Sequence, residues 1–360
     1  MITFEDVSKQ YPDGTVAVSG LNFVAPSGKL TVLVGPSGCG KTTTMRMINR
    51  LVDPTGGRVL VGDQDTQTTD RVALRRRIGY VIQGAGLFPH RTALDNVAAF
   101  PRLLGASKKA ARESAMELLT RVGLTERHAR RYPWQLSGGQ QQRVGVARAL
   151  ATDPPFLLMD EPFSAVDPIV RNQLQDEFLR LQQELSKTIV MVTHDIDEAL
   201  KLGDYVAVMR EGGHLAQFAT PEELLTRPAD QFVADFIGNG RGYRSLQFHR
   251  WAHVIDTEWE EPVPVGGIPG RDDSVVVDVG GKPLGWVRSS GGAGTAVGVA
   301  DIDVSGTVAR ESSSLRELFD AALSSPTGRA LIAGDDGRYK GTVRLAAVSA
   351  AMETLKAPVA

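Results

Sequence analysis

Through the first 237 residues, short apolar runs bounded by turn residues alternate with longer stretches whose apolar positions recur every three to four residues. Thr3–Val7 and Val16–Val24 read as strands separated by the turn Tyr11-Pro12-Asp13-Gly14. Pro26-Ser27-Gly28 then leads into Leu30–Val34, an apolar run of the buried-strand type. Ile78–Gln83, Phe156–Asp160 and Thr188–Thr193 have the same character, and Gly56-Gly57 before Arg58–Gly62 predicts a further turn and strand. Helical patterning covers Thr43–Leu51, residues 92 to 123 and Val144–Ala151, with Ser107 as an N-cap and Gly123 as a stop for the stretch between them. Strands alternating with helices predict an α/β fold.

The pattern changes near Gly238-Asn239-Gly240. Residues 241–272 are irregular and contain Pro262, Pro264 and Pro269. Beyond them, Ser274–Val279 and Leu284–Val287 predict a hairpin, and Ser313–Leu323 an amphipathic helix with Ser312 or Ser313 as its cap. Ala330–Ala333, Gly341–Leu345 and Ala346–Leu355 give strand, strand and helix. The expected organisation is therefore a first domain over 1–238, a linker over 239–272 and a small α+β domain over 273–356.

Composition adds exclusions. A chain of 360 residues with 42% hydrophobic and 23% charged residues has the balance of a globular protein with several cores. A net charge of −2 gives no general attraction to nucleic acid. Cys39 stands alone, which excludes an intrachain disulfide. No apolar run approaches a membrane span, and the opening Ile2-Thr3-Phe4-Glu5-Asp6-Val7 does not have the form of a signal peptide. Any membrane role is expected to pass through a partner.

The strongest chemical signal follows the Leu30–Val34 strand. Gly35-Pro36-Ser37-Gly38-Cys39-Gly40-Lys41-Thr42 fits G-x-x-x-x-G-K-T, and a helical pattern follows it. Glycines let successive N–H groups turn inward onto phosphate oxygens; Lys41 can reach the β/γ-phosphates and the Thr42 hydroxyl can ligate Mg²⁺. Other candidates sit at strand ends. Asp160 and Glu161 end an apolar run, which suits a metal near the phosphates and a base for water. His194 ends another, and Gln83 a third. Tyr11 can stack on an adenine ring, or be an ordinary edge aromatic. Ser137-Gly138-Gly139 before a helix reads as a second anion-binding nest. Leu87 and Phe88, in the loop Gly84–Pro89, are costly if exposed; a partner or their own domain can cover them.

These pieces, in this order, resemble the ATPase subunit of an ABC transporter. Leu136-Ser137-Gly138-Gly139-Gln140 is similar to that family's LSGGQ signature, and Asp160-Glu161, Ser164-Ala165-Val166-Asp167 and His194 follow in the family's order. The resemblance covers about residues 2–237. It implies a phosphate-loop NTPase domain with a RecA-like core, an antiparallel β subdomain and a helical subdomain over about 86–154. It also implies roles at matching positions. Tyr11 would stack on adenine, and Gly35–Thr42 with Thr43 would hold the phosphates. Thr42, Gln83 and Asp160 would hold Mg²⁺; Glu161 would be the base, with His194 and Gln83 on the γ-phosphate. The signature would act on the ATP of a second copy, with Asp167 at the dimer seam, so a homodimer is expected. The loop from Gln83 to His90 would meet an integral-membrane permease, which works with an extracellular substrate-binding protein. The chain would then sit on the cytoplasmic face of the membrane, with no nucleic-acid partner. Tyr132-Pro133-Trp134-Gln135 departs from the residues common before the signature.

Gly79–Gln83 through Gly86–His90, Asp195–Asp204 and Thr220–Leu224 resemble importers for quaternary-amine osmoprotectants: glycine betaine, choline, carnitine and proline betaine. Importers of another small solute, such as an amino acid or polyamine, and non-transport ABC ATPases are the alternatives. The tail resembles a CBS-type regulatory pair with a reduced first half. Arg288, Gly291, Arg344 and Ala347 stand where such domains usually carry Thr or Asp, which argues against nucleotide binding there and leaves dimerisation or docking as the other role. Arg241, Arg244 and Arg250 precede Asp256, Glu258, Glu260 and Glu261, so a salt-sensitive contact between the two groups is a further expectation.

Overall fold

The computed structural model describes residues 1–164, 166–287 and 295–356, which form two compact units, Met1–Gly238 and Asn239–Ala360. In the first, β1 (Ile2–Gln10) and β2 (Val16–Ala25) form a hairpin and lead to β3 (Leu30–Val34) and helix α1 (Lys41–Ile48). β4 (Gly56–Val61) and β5 (Gln64–Asp65) extend the hairpin into an antiparallel sheet of order β2-β1-β4-β5. α2 (Arg71–Arg76) and β6 (Ile78–Val81) precede a helical segment of α3 (Ala93–Val97), α4 (Ala99–Leu103), α5 (Lys108–Arg121), α6 (Glu126–Ala129) and α7 (Gly138–Leu150). The chain then alternates through β7 (Phe156–Asp160), α8 (Pro168–Leu185), β8 (Thr188–Val192), α9 (Ile196–Leu202), β9 (Tyr205–Arg210) and β10 (His214–Ala219). α10 (Pro221–Thr226) and α11 (Gln231–Ile237) end the unit.

A six-stranded sheet of order β10-β9-β3-β8-β7-β6 forms the second layer, parallel except at β10. Every residue of β3, β7 and β8 is buried, as strands covered on both faces require. The core between the two sheets includes Phe4, Phe23, Met45, Ile48, Leu158, Val190 and Met209, with Phe4 and Phe23 stacked 4.5 Å apart. Because β3, β7 and β8 run parallel, their C-terminal ends share one edge of the sheet. That edge delivers Gly35, Asp160-Glu161 and Thr193-His194 to neighbouring positions, the usual place for a ligand in such sheets.

Several boundaries differ from the sequence expectation. α1 begins at Lys41 rather than Thr43, because Gly40 in the left-handed region serves as its N-cap. Residues 92–123 form separate helices, in keeping with the cap read at Ser107 inside the stretch. Pro101 lies in the first turn of α4, where its missing N–H costs nothing, and Gly105 at φ +99° ends that segment. Ser107 and Gly123 cap and stop α5 as the pattern predicts. Arg75 donates to the carbonyls of Asn49 and Arg50 and so satisfies the C-terminal end of α1.

The second unit starts with α12 (Arg241–Ser245), inside the stretch expected to be irregular. β11 (Val263–Pro264), β12 (Val275–Val277), β13 (Pro283–Val287) and β14 (Ile302–Asp303) form one sheet. β15 (Val308–Arg310), α13 (Leu315–Ser324), β16 (Arg329–Ala333), β17 (Tyr339–Arg344) and α14 (Leu345–Lys356) follow as strand, helix, strand, strand, helix. No helix lies between 256 and 273. The cap of α13 is Ser314, not Ser312 or Ser313, and it forms a reciprocal box with Glu317. Glu258 pairs with Arg344, and Glu260 with Arg329, within this unit. Arg288 and Gly291, which bear on the CBS resemblance, lie outside the described residues, as does Ala165.

Candidate functional site

The phosphate loop takes its shape from two glycines that nothing else can replace. A Cβ on Gly35 would lie 2.2 Å from the Met209 carbonyl oxygen, and one on Gly40 would lie 2.0 Å from that of Ala17. Both backbones have positive φ, which L-side chains rarely adopt. The loop therefore curls tightly between β3 and α1. The N-terminal end of α1 carries no acidic residue in its first turn, so its positive end is left available to an anion.

Lys41 is buried, and its Nζ donates to the carbonyls of Gly35 and Pro36, both at 2.8 Å. Those bonds hold the ammonium inside the loop's curl. Cys39 is also buried, and burial pushes its thiol pKa up, so it is a small packing residue rather than a reactive thiolate. The Thr42 hydroxyl donates to Asp160 Oδ1 at 3.3 Å. Burial raises the Asp160 pKa, while the hydrogen bond from Thr42 and the nearby Arg46 oppose the rise and the adjacent Glu161 adds to it.

Glu161 follows β7 at φ +45°, a costly conformation for a non-glycine residue. Its amide donates to the Val192 carbonyl at 2.9 Å, and its own carbonyl accepts from the Ser164 hydroxyl at 2.9 Å. Both carboxylate oxygens are engaged: Oε1 lies 3.2 Å from His194 Nδ1, and Oε2 accepts from Gln83 Nε2 at 3.1 Å. The ends of β6, β7 and β8 thus converge on one carboxylate. A cavity of about 590 Å³ opens in front of it, lined by the phosphate loop with Thr43, Ala17, Glu161, His194 and Phe236.

A hydroxyl, a buried carboxylate and an amide oxygen beside a phosphate cradle form an oxygen-rich donor set that suits Mg²⁺. Thr42 and Asp160 already touch, and Gln83 reaches the same end of the site through Glu161. The residues present therefore fit the ion. The fit needs phosphate oxygens to complete it, since the described residues contain no cluster of three acids, histidines or cysteines.

Other candidates stand apart from the cavity. Tyr11 is 36% exposed at its turn, with the Lys9 ammonium 5.4 Å from its ring centroid. Leu136 is buried, whereas Ser137 is the N-cap of α7 and exchanges hydrogen bonds with Gln140. Gly138 and Gly139 lie in the first turn of that helix and not in a nest, which corrects the sequence reading. None of these signature residues lines the cavity of its own chain. Asp167 precedes α8, and its carbonyl accepts from the Arg171 amide. Leu87 is half-buried and Phe88 is 43% exposed beneath the guanidiniums of Arg91 and Arg148.

The sequence reading missed Ala17 and Phe236 in the cavity wall, which no local pattern marks. It also missed Glu198. That buried carboxylate on α9 accepts from Gln175 Nε2 at 3.0 Å, and burial raises its pKa.

The chain matches the ABC transporter family over residues 18–164. It is 43% identical over 359 residues to the osmoprotectant import ATP-binding protein OsmV of Salmonella typhimurium, covering 95% of this chain and 94% of that protein. It is 52% identical over 241 residues to the carnitine transport ATP-binding protein OpuCA of Listeria monocytogenes, covering 67% of this chain and 60% of that relative. Among solved structures, the dimeric post-hydrolysis state of the ATP-binding cassette MJ0796 bound to ADP and Pi is 35% identical with a TM-score of 0.56, over 61% of this chain and 99% of that one. No described helix is long and apolar enough to cross a membrane.

Proposed function

The chain belongs to the ABC transporter family of importer ATP-binding subunits, and from that premise we propose that it hydrolyses ATP to drive uptake of a quaternary-amine osmoprotectant. Glycine betaine, choline, carnitine and proline betaine are the solutes in view. The observation that carries the catalytic half is the convergence of Gln83 and His194 on the two oxygens of Glu161, at the mouth of the phosphate-loop cavity. The relatives' functions support the transport half.

In this reading the triphosphate lies along the N–H groups of residues 37–42. Lys41 exchanges the Gly35 and Pro36 carbonyls for the β- and γ-phosphates. Thr42, Asp160 and Gln83 would hold Mg²⁺, which would supply charge neutralisation at the phosphate oxygens. Glu161 orients the attacking water and accepts its proton. Gln83 and His194 keep the carboxylate aimed and place hydrogen-bond donors beside the γ-phosphate. Little covalent chemistry falls to the protein; positioning and electrostatics supply the rate.

Ser137 to Gln140 serve the nucleotide of a second copy, which fits their not lining their own chain's cavity. Nucleotide then favours closure because the closed homodimer offers it more donors than the open one. Tyr11 stacks on adenine, and Asp167 lies at the seam. The loop from Gln83 to His90 meets the permease at the cytoplasmic face of the membrane, and an extracellular binding protein delivers solute to that permease. For the second unit we infer a CBS-like regulatory or dimerisation role, which the strand-helix-strand-strand-helix order over 308–356 supports.

The test is uptake. Cells lacking this chain should lose uptake of radiolabelled osmoprotectant, and wild-type chain should restore it where Glu161→Gln does not. Unchanged uptake of all four compounds would remove the solute assignment. Stimulation of ATP hydrolysis by permease and binding protein checks the coupling itself.

A further inference from the structure

The loop after β6 takes a left-handed path that its two glycines accept and Ala85 does not. Gly84, Ala85 and Gly86 have φ of +71°, +59° and +50° in succession. For Ala85 that costs roughly 1–2 kcal/mol. A Cβ on Gly86 would lie 2.0 Å from Ile82 Cδ1, so the turn closes tightly on itself. Something outside the loop must hold it.

Arg148 is that group. From the last turn of α7 its Nη1 donates to the Gly86 carbonyl and its Nη2 to the Ala85 carbonyl, both at 2.8 Å. Its guanidinium carbon also lies 5.8 Å from the Phe88 ring centroid. Ala85 is buried against Gly145, one turn earlier on the same helix. Asn96 fixes the far end of the loop by accepting from the Phe88 amide at 2.7 Å and donating to the Phe88 carbonyl at 3.1 Å. Burial lowers the Arg148 pKa, yet a guanidinium stays charged in proteins, so the fork persists. A fork of two parallel donors fits two successive carbonyls; an ammonium, being a point donor, does not.

α7 begins at Ser137 and Gly138, the signature. A helix of 13 residues is a rod about 20 Å long. We propose that Arg148 is a positioning residue that bolts the loop at residues 84–88 to the signature helix, so that displacement of the loop by the permease moves the signature as one body. The transport part of this rests on the importer reading above; the mechanical link does not.

Two measurements separate them. In the first, hydrogen exchange is followed on the isolated full-length chain carrying Glu161→Gln, with and without ATP. With Arg148 present, ATP protects residues 84–88 along with 136–141. Adding Arg148→Gln keeps protection at 136–141 and loses it at 84–88. Protection of both segments in that double variant overturns the link. In the second, the assembled transporter is assayed for the ratio of permease-stimulated to basal hydrolysis. The ratio falls about tenfold in Arg148→Gln and substantially in Arg148→Lys, coupling free energies being of that size. Ala85→Gly, which relieves backbone strain and keeps the fork, preserves it. Equal ratios in all variants, or a fall that follows a loss of thermal stability, overturn the proposal. An unstimulated wild type instead removes the importer reading and leaves the exchange result to decide the link.

Discussion

Glu161 carries the proposed chemistry on a backbone that its residue type seldom adopts. Its φ of +45° turns the side chain off the end of β7 toward Gln83 and His194. Glu161→Gln keeps the shape and removes the proton acceptor. We expect ATP-driven dimerisation to persist while turnover falls by about 10²–10⁴, the usual share of a general base; single-turnover hydrolysis and size-exclusion with ATP check this. Glu198 offers a stability test. Its carboxyl is buried and its folded pKa lies above the ordinary 4.5, chiefly through desolvation. Between those two values the unfolded chain has lost its proton and the folded chain has not, so stability falls as pH rises through that window and then stays reduced. Glu198→Gln removes the ionisation. The variant should match wild type at acidic pH and unfold at higher temperature at neutral pH, about 2–4 °C for each kcal/mol recovered in a domain of this size. At this scale the sequence displayed Lys41, Thr42, Asp160, Glu161 and His194, because each sits in a motif or at the end of an apolar run. Phe236 and Glu198 were invisible, since only tertiary packing brings them to the site and its supports.

Elements were legible where a cap or a breaker wrote the boundary into the chain. Ser107 and Gly123 delimit α5 as read. The cap of α13 was misplaced because three serines precede it. Only the S-x-x-E spacing from Ser314 to Glu317 separates them, and the reciprocal hydrogen bonds follow that spacing. Ser314→Ala should cost about 1 kcal/mol, read as an earlier unfolding transition of the second unit by calorimetry, whereas Ser312→Ala should not. α1 depends on its entry in a different way. Gly40→Ala would place a methyl 2.0 Å from the Ala17 carbonyl oxygen, and neither backbone can yield cheaply. The loop must open to admit it. We therefore expect loss of nucleotide binding in equilibrium titrations, since the curl that aims the N–H groups is what the methyl displaces. The six-stranded order was beyond sequence reasoning: runs of similar apolar character name the strands but not their neighbours.

Across the whole molecule, the division after Gly238 leaves the residues that line the phosphate-loop cavity within the first unit. The tail's charges were expected to pair basic with acidic runs. Two of the acidic residues have partners of unlike exposure further along the chain. Arg344 and Glu258 are more than half exposed at 2.8 Å, so added salt weakens them; the Debye length falls from about 10 Å at 0.1 M to 3 Å at 1 M. Arg329 is 10% exposed at its side chain, bonds Glu260 and Asp273 together and lies 4.6 Å from the Trp286 ring centroid, so salt reaches it far less. The unit thus has a firm centre and a salt-labile edge. If that edge sets the response of transport to salt, deleting residues 239–360 should leave ATP hydrolysis by the cassette intact and flatten the salt dependence of uptake. Glu258→Gln, which breaks only the exposed pair, should flatten it partly. A salt profile unchanged by both would overturn that link.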